Sequence, residues 1–246
     1  MLRIMHGPDP WIAEQIVAAL GPVRKVVSFG PGAGCYEPDG ARIVAVQPKG
    51  GATLPPGAIV DELVVANAES LPFRDRSFDA ALSVLALHHC NDPEAAVSEM
   101  ARVADRVVVL TWDPRAAGRW WWLGEYFTGL DEVDESRFPP VQTLRARLNP
   151  CRVLRVPIPH DCRDGFLGAY WRRPHAYLDA QVRAAITAFA DPRLGDVHEG
   201  VTRLAGDLAN GRWLARWGAL LAMERCDLGY RLLVTPTRRH RPPPRL

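Results

Sequence analysis

Gly30, Gly32 and Gly34 occupy every second position of a short segment that directly follows the β-branched run Lys25-Val26-Val27-Ser28-Phe29. A strand that breaks at once into such a loop leaves bare backbone at its carboxyl end, where an open α/β sheet binds nucleotides. A pyrophosphate would need a helix N-terminus just behind the loop, and Pro38 disfavours a good helix there, so a ligand without phosphates fits better. His88 and His89 follow another apolar run, at a strand end bordering the same crevice. An imidazole there is suited to take a proton near neutral pH. Alternatively, one ring packs beneath the ligand and the other caps the following helix.

Two more groups carry chemistry-bearing side chains. His160, Asp161, Cys162 and Asp164 cluster after a later strand-like run, but adjacent positions point in different directions and lack the spacing of a metal knuckle. No metal site is expected, and a turn is the simpler reading, with His160 near a strand end and so a candidate pocket residue. Trp120, Trp121 and Trp122, with Tyr126 and Phe127, concentrate aromatic surface in one predicted helix. Three consecutive Trp residues cannot share one helical face, so at least one is exposed or meets a ligand or partner. Tyr170, Trp171, Arg172 and Arg173 form a second aromatic and basic group, the arginines being either solvated helix ends or partners for an acidic acceptor. Trp121, Tyr126, His160, Tyr170 and Trp171 are the candidate lining of a substrate pocket.

The elements that must position these residues follow from periodicity and turn chemistry. Asp9 before Pro10 starts a helix in which Ile12, Ile16 and Leu20 recur four apart, and Gly21 stops it. Apolar runs at residues 25–29, 42–46, 62–66, 78–85 and 106–111 read as parallel strands buried on both faces, and Asp92-Pro93 opens a helix with Val97, Met100 and Val103 on one side. Proline and glycine in residues 35–41 and 48–58 exclude a regular helix of normal length from both crossovers, leaving that part of one sheet face to loops or a partner. Helices are expected at residues 119–127, 141–148, 164–171, 179–189, 197–208 and 213–225, and strands at 152–158 and 230–235. The expected fold class is α/β, with a mostly parallel sheet and a helical cap. It forms a single domain over residues 1–237, with core 9–113, 150–160 and 229–236, cap 114–149 and 161–228, and a disordered basic tail at 238–246.

Apolar residues make up 48% of the 246-residue chain and charged residues 24%, which suits an ordinary globule with ample core. The net charge of +2 sits largely in the Arg- and Pro-rich terminus, so the near-neutral body lacks the basic stripe of a nucleic-acid binder. Five cysteines without a CxxC pair, and no basic-then-apolar leader, make the reducing cytoplasm the expected compartment. No apolar run approaches the roughly 18 residues of a membrane span.

The runs VVSFGPGAG, VAVQP and NAESLPFRDRSFDAALSVLALHHCNDPEAAVSEMARV resemble the central motifs of class I S-adenosylmethionine-dependent methyltransferases of the ubiquinone/menaquinone-biosynthesis type, over roughly residues 25–111. The resemblance implies a Rossmann-like seven-stranded sheet whose last strand is antiparallel. It implies S-adenosyl-L-methionine as cofactor and S-adenosylhomocysteine as product. Gly30, Gly32 and Gly34 would approach the methionine part of the cofactor, Gln47 the ribose, and Ala68 and Glu69 the adenine, with Ser28, Pro48 and Asn67 also among the cofactor-binding positions. Leu85, Leu87 and His88 would lie beside the transferred methyl group. Three positions depart from the family pattern: Ser28, Gln47 and Asn67 stand where acidic residues are usual. A hydrogen bond to a charged group contributes about 1.5 to 3 kcal/mol against about 1 for a neutral one, so cofactor binding is expected to be loosened rather than abolished.

The expected function is methyl transfer to a small, hydrophobic or aromatic metabolite enclosed by the cap, with His88 and His89 as candidate bases. The alternative is a non-methylating member that keeps the pocket, either a cofactor-binding regulatory protein or a catalyst of another reaction. A nicotinamide dehydrogenase is disfavoured because no acidic residue ends the second strand. The expected partners are a small-molecule substrate, with neither nucleic acid nor membrane, and a homodimer is left open.

Overall fold

The computed structural model describes residues 7–30, 36–50, 58–117, 125–130 and 138–238. Gly32, Gly34 and Trp121 lie outside them, as do the flanking Trp120 and Trp122 and nearly all of the expected tail. The chain divides into two compact units: one of residues 15–111, 140–154 and 231–246, the other of residues 1–14, 112–139 and 155–230. The expected cap segment 114–149 is therefore split, its last ten residues going with the sheet.

The first unit is built on a seven-stranded sheet. Helix α1 (Pro10–Leu20) starts where expected, Asp9 Oδ1 accepting the N–H groups of Trp11 (3.0 Å) and Ile12 (3.2 Å). At its other end Arg106 Nη1 donates to the carbonyls of Ala19 (2.9 Å) and Leu20 (3.1 Å), a cation placed at the negative end of the helix dipole. Strands β1 (Lys25–Phe29), β2 (Arg42–Gln47), β3 (Glu62–Val65), β4 (Phe78–Val84) and β5 (Ala104–Trp112) pair in parallel. With β6 (Arg152–Arg155) and β9 (Tyr230–Val234) the order is β3-β2-β1-β4-β5-β9-β6, and β9, last in the chain, runs antiparallel to both its neighbours. The Rossmann-like expectation is thus met in strand number and direction.

Helix α2 (Pro93–Val103) is capped by Asp92, whose Oδ1 accepts from Glu94 and Ala95 N–H at 3.0 Å each. It buries Ala96, Val97, Met100 and Val103 in one cluster with Val27, Phe29, Val44, Val46, Ala81, Val107 and Val109 of the strands. A short α3 (Pro114–Ala117) follows β5, and α4 (Val141–Arg147) adds Val141 and Leu144 to the cluster. Among the described residues no helix lies between β1 and β3, as the prolines and glycines of both crossovers require. The edge strand β3 keeps Leu63 and Val65 exposed.

In the second unit the expected strand over 152–158 stops at Arg155. Pro157 cannot donate to a ladder, and the chain restarts as β7 (Ile158–Pro159), which pairs antiparallel with β8 (Arg225–Cys226). Expected long helices become shorter: residues 167–170 and 174–178 are 3-10 turns, α5 (Ala180–Ala185) breaks before a third turn at 187–190, and α7 (Arg212–Trp217) ends in a fourth at 218–222. Only α6 (Val197–Ala209) runs its expected length. Of the helix expected at 119–127, residues 125–127 form a turn or bend and the rest lies outside the described residues. A cluster of edge-to-face rings takes the place of helical regularity, with Phe127–Phe189 centroids at 4.9 Å and Tyr170–Tyr177 at 5.8 Å. Among the described residues no helix is long and apolar enough to cross a membrane, and no group of three metal-ligating side chains occurs.

Candidate functional site

The strand order reverses between β1 and β4: the chain steps outward to β2 and β3, then returns to the other side of β1. In an open α/β sheet this switch point leaves a crevice at the carboxyl ends of the two strands. Gly30 is exposed there with φ +62, its N–H held by the Val46 carbonyl at 3.2 Å. A Cβ on Gly30 would stand 2.8 Å from the Cβ of Ala86, so the loops after β1 and β4 meet at van der Waals contact. Leu85 also carries a positive φ, +47, and its N–H is fixed to the Leu110 carbonyl at 2.9 Å. A leucine in that conformation is strained, and such strain gathers at binding sites.

Other candidates cluster at the neighbouring strand ends. Gln47, the last residue of β2, is 8% exposed, and its carbonyl accepts the Ala66 N–H at 2.9 Å, which brings the start of the Asn67-Ala68-Glu69 segment beside it. Pro48 and Asn67 are exposed, Ala68 and Glu69 half-buried. The residues that follow, Leu71 to Asp75, are clamped to α2 by Arg102, which donates to both oxygens of Glu99 at 2.7 Å, to Asp75 at 2.7 Å, and to the carbonyls of Phe73 (2.9 Å) and Leu71 (3.1 Å). The clamp holds the Glu99 carboxyl below the usual range, chiefly through the Arg102 hydrogen bond, and burial acts the other way.

Leu87, His88 and His89 form a 3-10 turn after β4. The Leu87 side chain is 2% exposed in the core cluster, so any ligand contact there must come from its main chain. His88 is half-buried and His89 exposed, with ring centroids 3.9 Å apart. The two imidazoles therefore stand together at the end of the strand that borders the switch point.

Sequence reasoning overlooked Glu37. Its side chain lies against Ser28 on β1, Ser28 Oγ donating to Glu37 Oε1 at 2.8 Å. Ser28 is 3% and Glu37 9% exposed, and Glu37 Oε2 is buried with no hydrogen-bond partner among the described residues. The available signal was an acidic residue just beyond the glycine loop, ahead of a proline that denies the segment a helix.

The expected pocket aromatics divide differently in the second unit. Trp171 is fully buried, its Nε1 donating to the carbonyls of Ile158 (3.2 Å) and Pro159 (3.1 Å). At 0% exposure its ring surface is taken up by the surrounding side chains and main chain. Tyr126 donates to Asp207 Oδ2 at 3.0 Å, and burial, with Asp207 beside it, drives its phenol well above its usual value. Tyr170 is 7% exposed under Arg173, whose Nη2 is taken by the carbonyls of Cys162 (2.6 Å) and Ala169 (2.9 Å). His160 is half-buried with Nε2 at 3.3 Å from Glu224.

A family model described as a methyltransferase domain matches residues 30–107, which hold all the candidate cofactor positions except Ser28. A crystal structure from Anabaena variabilis ATCC 29413, named as a methyltransferase from an antibiotic biosynthesis pathway, is 32% identical; the match covers 95% of this chain and all of that one, with a TM-score of 0.81. The chain belongs to the class I S-adenosylmethionine-dependent methyltransferases. Uncharacterized proteins of Mycobacterium tuberculosis and Mycobacterium bovis are 30% identical to this family member over 138 residues, 46% of its length and 47% of theirs. The chain thus matches about half the length of these curated relatives.

The methyltransferases of this class use S-adenosylmethionine and release S-adenosylhomocysteine. The residues at the switch point fit that group. Gly30 lets the strand end close onto Ala86, where a side chain would clash, Gln47 offers a buried neutral amide able both to donate and to accept, and Glu37 offers a carboxylate oxygen awaiting a donor. A buried acid beside the loop repels phosphate and favours a neutral or cationic nucleoside.

Proposed function

We propose that the chain transfers a methyl group from S-adenosylmethionine to a small, hydrophobic or aromatic metabolite. The observation that carries this reading is the meeting of Gly30 with Ala86 at the switch point, next to the strained Leu85 and the His88–His89 pair. When bound, the cofactor supplies a sulfonium methyl that leaves with no electron pair. The chain's own part is to bind and to manage protons. Gly30 and the main chain around Leu85 admit the cofactor, while Gln47 and residues 67–69 hold its nucleoside. For an oxygen or nitrogen acceptor, His88 or His89 takes the acceptor's proton. The relative's place in an antibiotic pathway supports a small-molecule acceptor.

Calorimetric titration with S-adenosylhomocysteine, followed by mass spectrometry of metabolite pools incubated with methyl-labelled cofactor, tests the proposal. Binding together with a labelled small product is the expected result. No heat at millimolar ligand overturns it outright. Binding without any methylated product would favour the non-methylating reading suggested by Ser28, Gln47 and Asn67.

A further inference from the structure

We propose that Glu37 replaces the acid missing from β1 and receives the α-ammonium of the cofactor's amino-acid moiety on its free Oε2. The inference rests on the cofactor reading above. The family pattern places an acid at Ser28. Here a serine occupies the strand, and a carboxylate from nine positions further along is folded back onto it, held by the 2.8 Å hydrogen bond from Ser28 Oγ to Oε1.

Two observations distinguish this from ordinary packing. Glu37 is nine-tenths buried, yet one of its oxygens has no partner among the described residues. A buried carboxylate left half-satisfied is costly and calls for a donor. Its place is also telling: Ser28 lies two residues before Gly30, at the carboxyl end of β1, and Ser28 pairs with Leu82 of β4 across the switch point. The ligand expected there carries a primary ammonium with three donors, a match for an unfilled carboxylate oxygen. Ser28 acts as the positioning residue: it occupies Oε1 and so leaves Oε2 to the ligand. Gln47 and Asn67 remain neutral where the family pattern has acids, and Glu37 restores a charge only for the position of Ser28.

The test compares two ligands by titration calorimetry: S-adenosylhomocysteine, which carries the amino acid, and 5′-methylthioadenosine, which shares the nucleoside and thioether but lacks it. Glu37→Gln is expected to weaken the first at least tenfold and the second less than twofold. The double variant Ser28→Asp with Glu37→Gln, which returns a carboxylate to the strand, is expected to recover most of the lost affinity. A measurement that needs no variant accompanies these: the deaminated analogue of S-adenosylhomocysteine is expected to bind the unaltered protein at least tenfold more weakly than the parent. Unchanged binding of S-adenosylhomocysteine by Glu37→Gln, equal losses for both ligands, or equal affinity for the deaminated analogue would each overturn the role of Glu37. An unaltered protein that binds none of the three ligands overturns the cofactor reading itself, which separates the two failures.

Discussion

Glu69 reaches across to Asn91: its Oε1 accepts the Asn91 N–H at 2.8 Å and that of Asp92 at 3.2 Å. The segment that follows β3 is thereby tied to the turn that opens α2, and a negative charge is set beside Cys90. Burial first, and Glu69 second, push the Cys90 thiol up to about 11. In the folded protein Cys90 therefore stays protonated through the range in which an ordinary thiol ionises. Its alkylation by iodoacetamide, followed by peptide mass spectrometry, should keep accelerating until about pH 11. Glu69→Gln removes the smaller of the two causes, so the profile should move to lower pH and remain above that of a free thiol. A midpoint near 9 in the unaltered protein would contradict this.

The Arg102 clamp makes a pH-dependent prediction. Glu99 is more acidic folded than unfolded, so its contribution to stability is present above its ordinary value of 4.5 and is lost as pH falls through the lower folded value. Replacing Arg102 by Gln removes hydrogen bonds to two carboxylates and two carbonyls. The cost should be about 2 kcal/mol at pH 7, given that the group is partly exposed. The deficit should shrink at acid pH, below the lowered folded value, where Glu99 in the unaltered protein is itself protonated. Urea unfolding at the two pH values measures both quantities, and an equal deficit at each would refute the linkage.

The sheet was legible because buried parallel strands are written as continuous β-branched runs, and the caps at Asp9 and Asp92 because a short acid before proline has one common use. The second unit was not. Its order comes from rings packed edge to face and from arginines bound to carbonyls, and neither leaves a period in the sequence. Trp171 illustrates the loss: in one dimension it is an aromatic beside two arginines, and only the fold shows its N–H spent on the strand carbonyls beneath it. Glu37 was hidden for a different reason. Its partner, Ser28, lies on the other side of a glycine loop, and a hydrogen bond between them depends on where the chain turns back.

Gly30 and Gly40 separate conformational strain from close approach. Both have positive φ, +62 and +77, so alanine should cost either position about 1–2 kcal/mol. Only at Gly30 does the added Cβ meet a neighbour, Ala86 at 2.8 Å; at Gly40 nothing lies within 4 Å. Gly30→Ala is therefore expected to lose both thermal stability and S-adenosylhomocysteine affinity, and Gly40→Ala stability alone. Equal affinities for the two variants would remove Gly30 from the binding site.

If either His88 or His89 takes the acceptor's proton, replacing that one by Asn should lower kcat by about 10²–10⁴-fold and leave S-adenosylhomocysteine affinity within twofold. Titration calorimetry beside product formation separates this from a packing role, which would weaken binding as well.

Gly200 sits in the first turn of α6, where an ordinary helix would carry any residue and alanine would be preferred over glycine by about 1 kcal/mol. Here the preference should be reversed. A Cβ built on Gly200 overlaps the main-chain carbonyl oxygen of Tyr126 and comes within 3.0 Å of Phe127 Cδ1. A clashing side chain can change rotamer, but a carbonyl fixed in a turn cannot, so α6 would have to move away from residues 126–127. That movement would strain the hydrogen bond from Tyr126 Oη to Asp207, on the same helix, and loosen Phe127 from Phe189. Overpacking of this kind costs about 3 kcal/mol at its upper end, or about 6–12 °C in Tm for a chain of this size. Gly206 on the same helix has nothing within 4 Å, and alanine there should be neutral or stabilising. Differential scanning calorimetry of the two variants decides the matter: equal melting temperatures would mean that α6 does not press on the Tyr126 carbonyl.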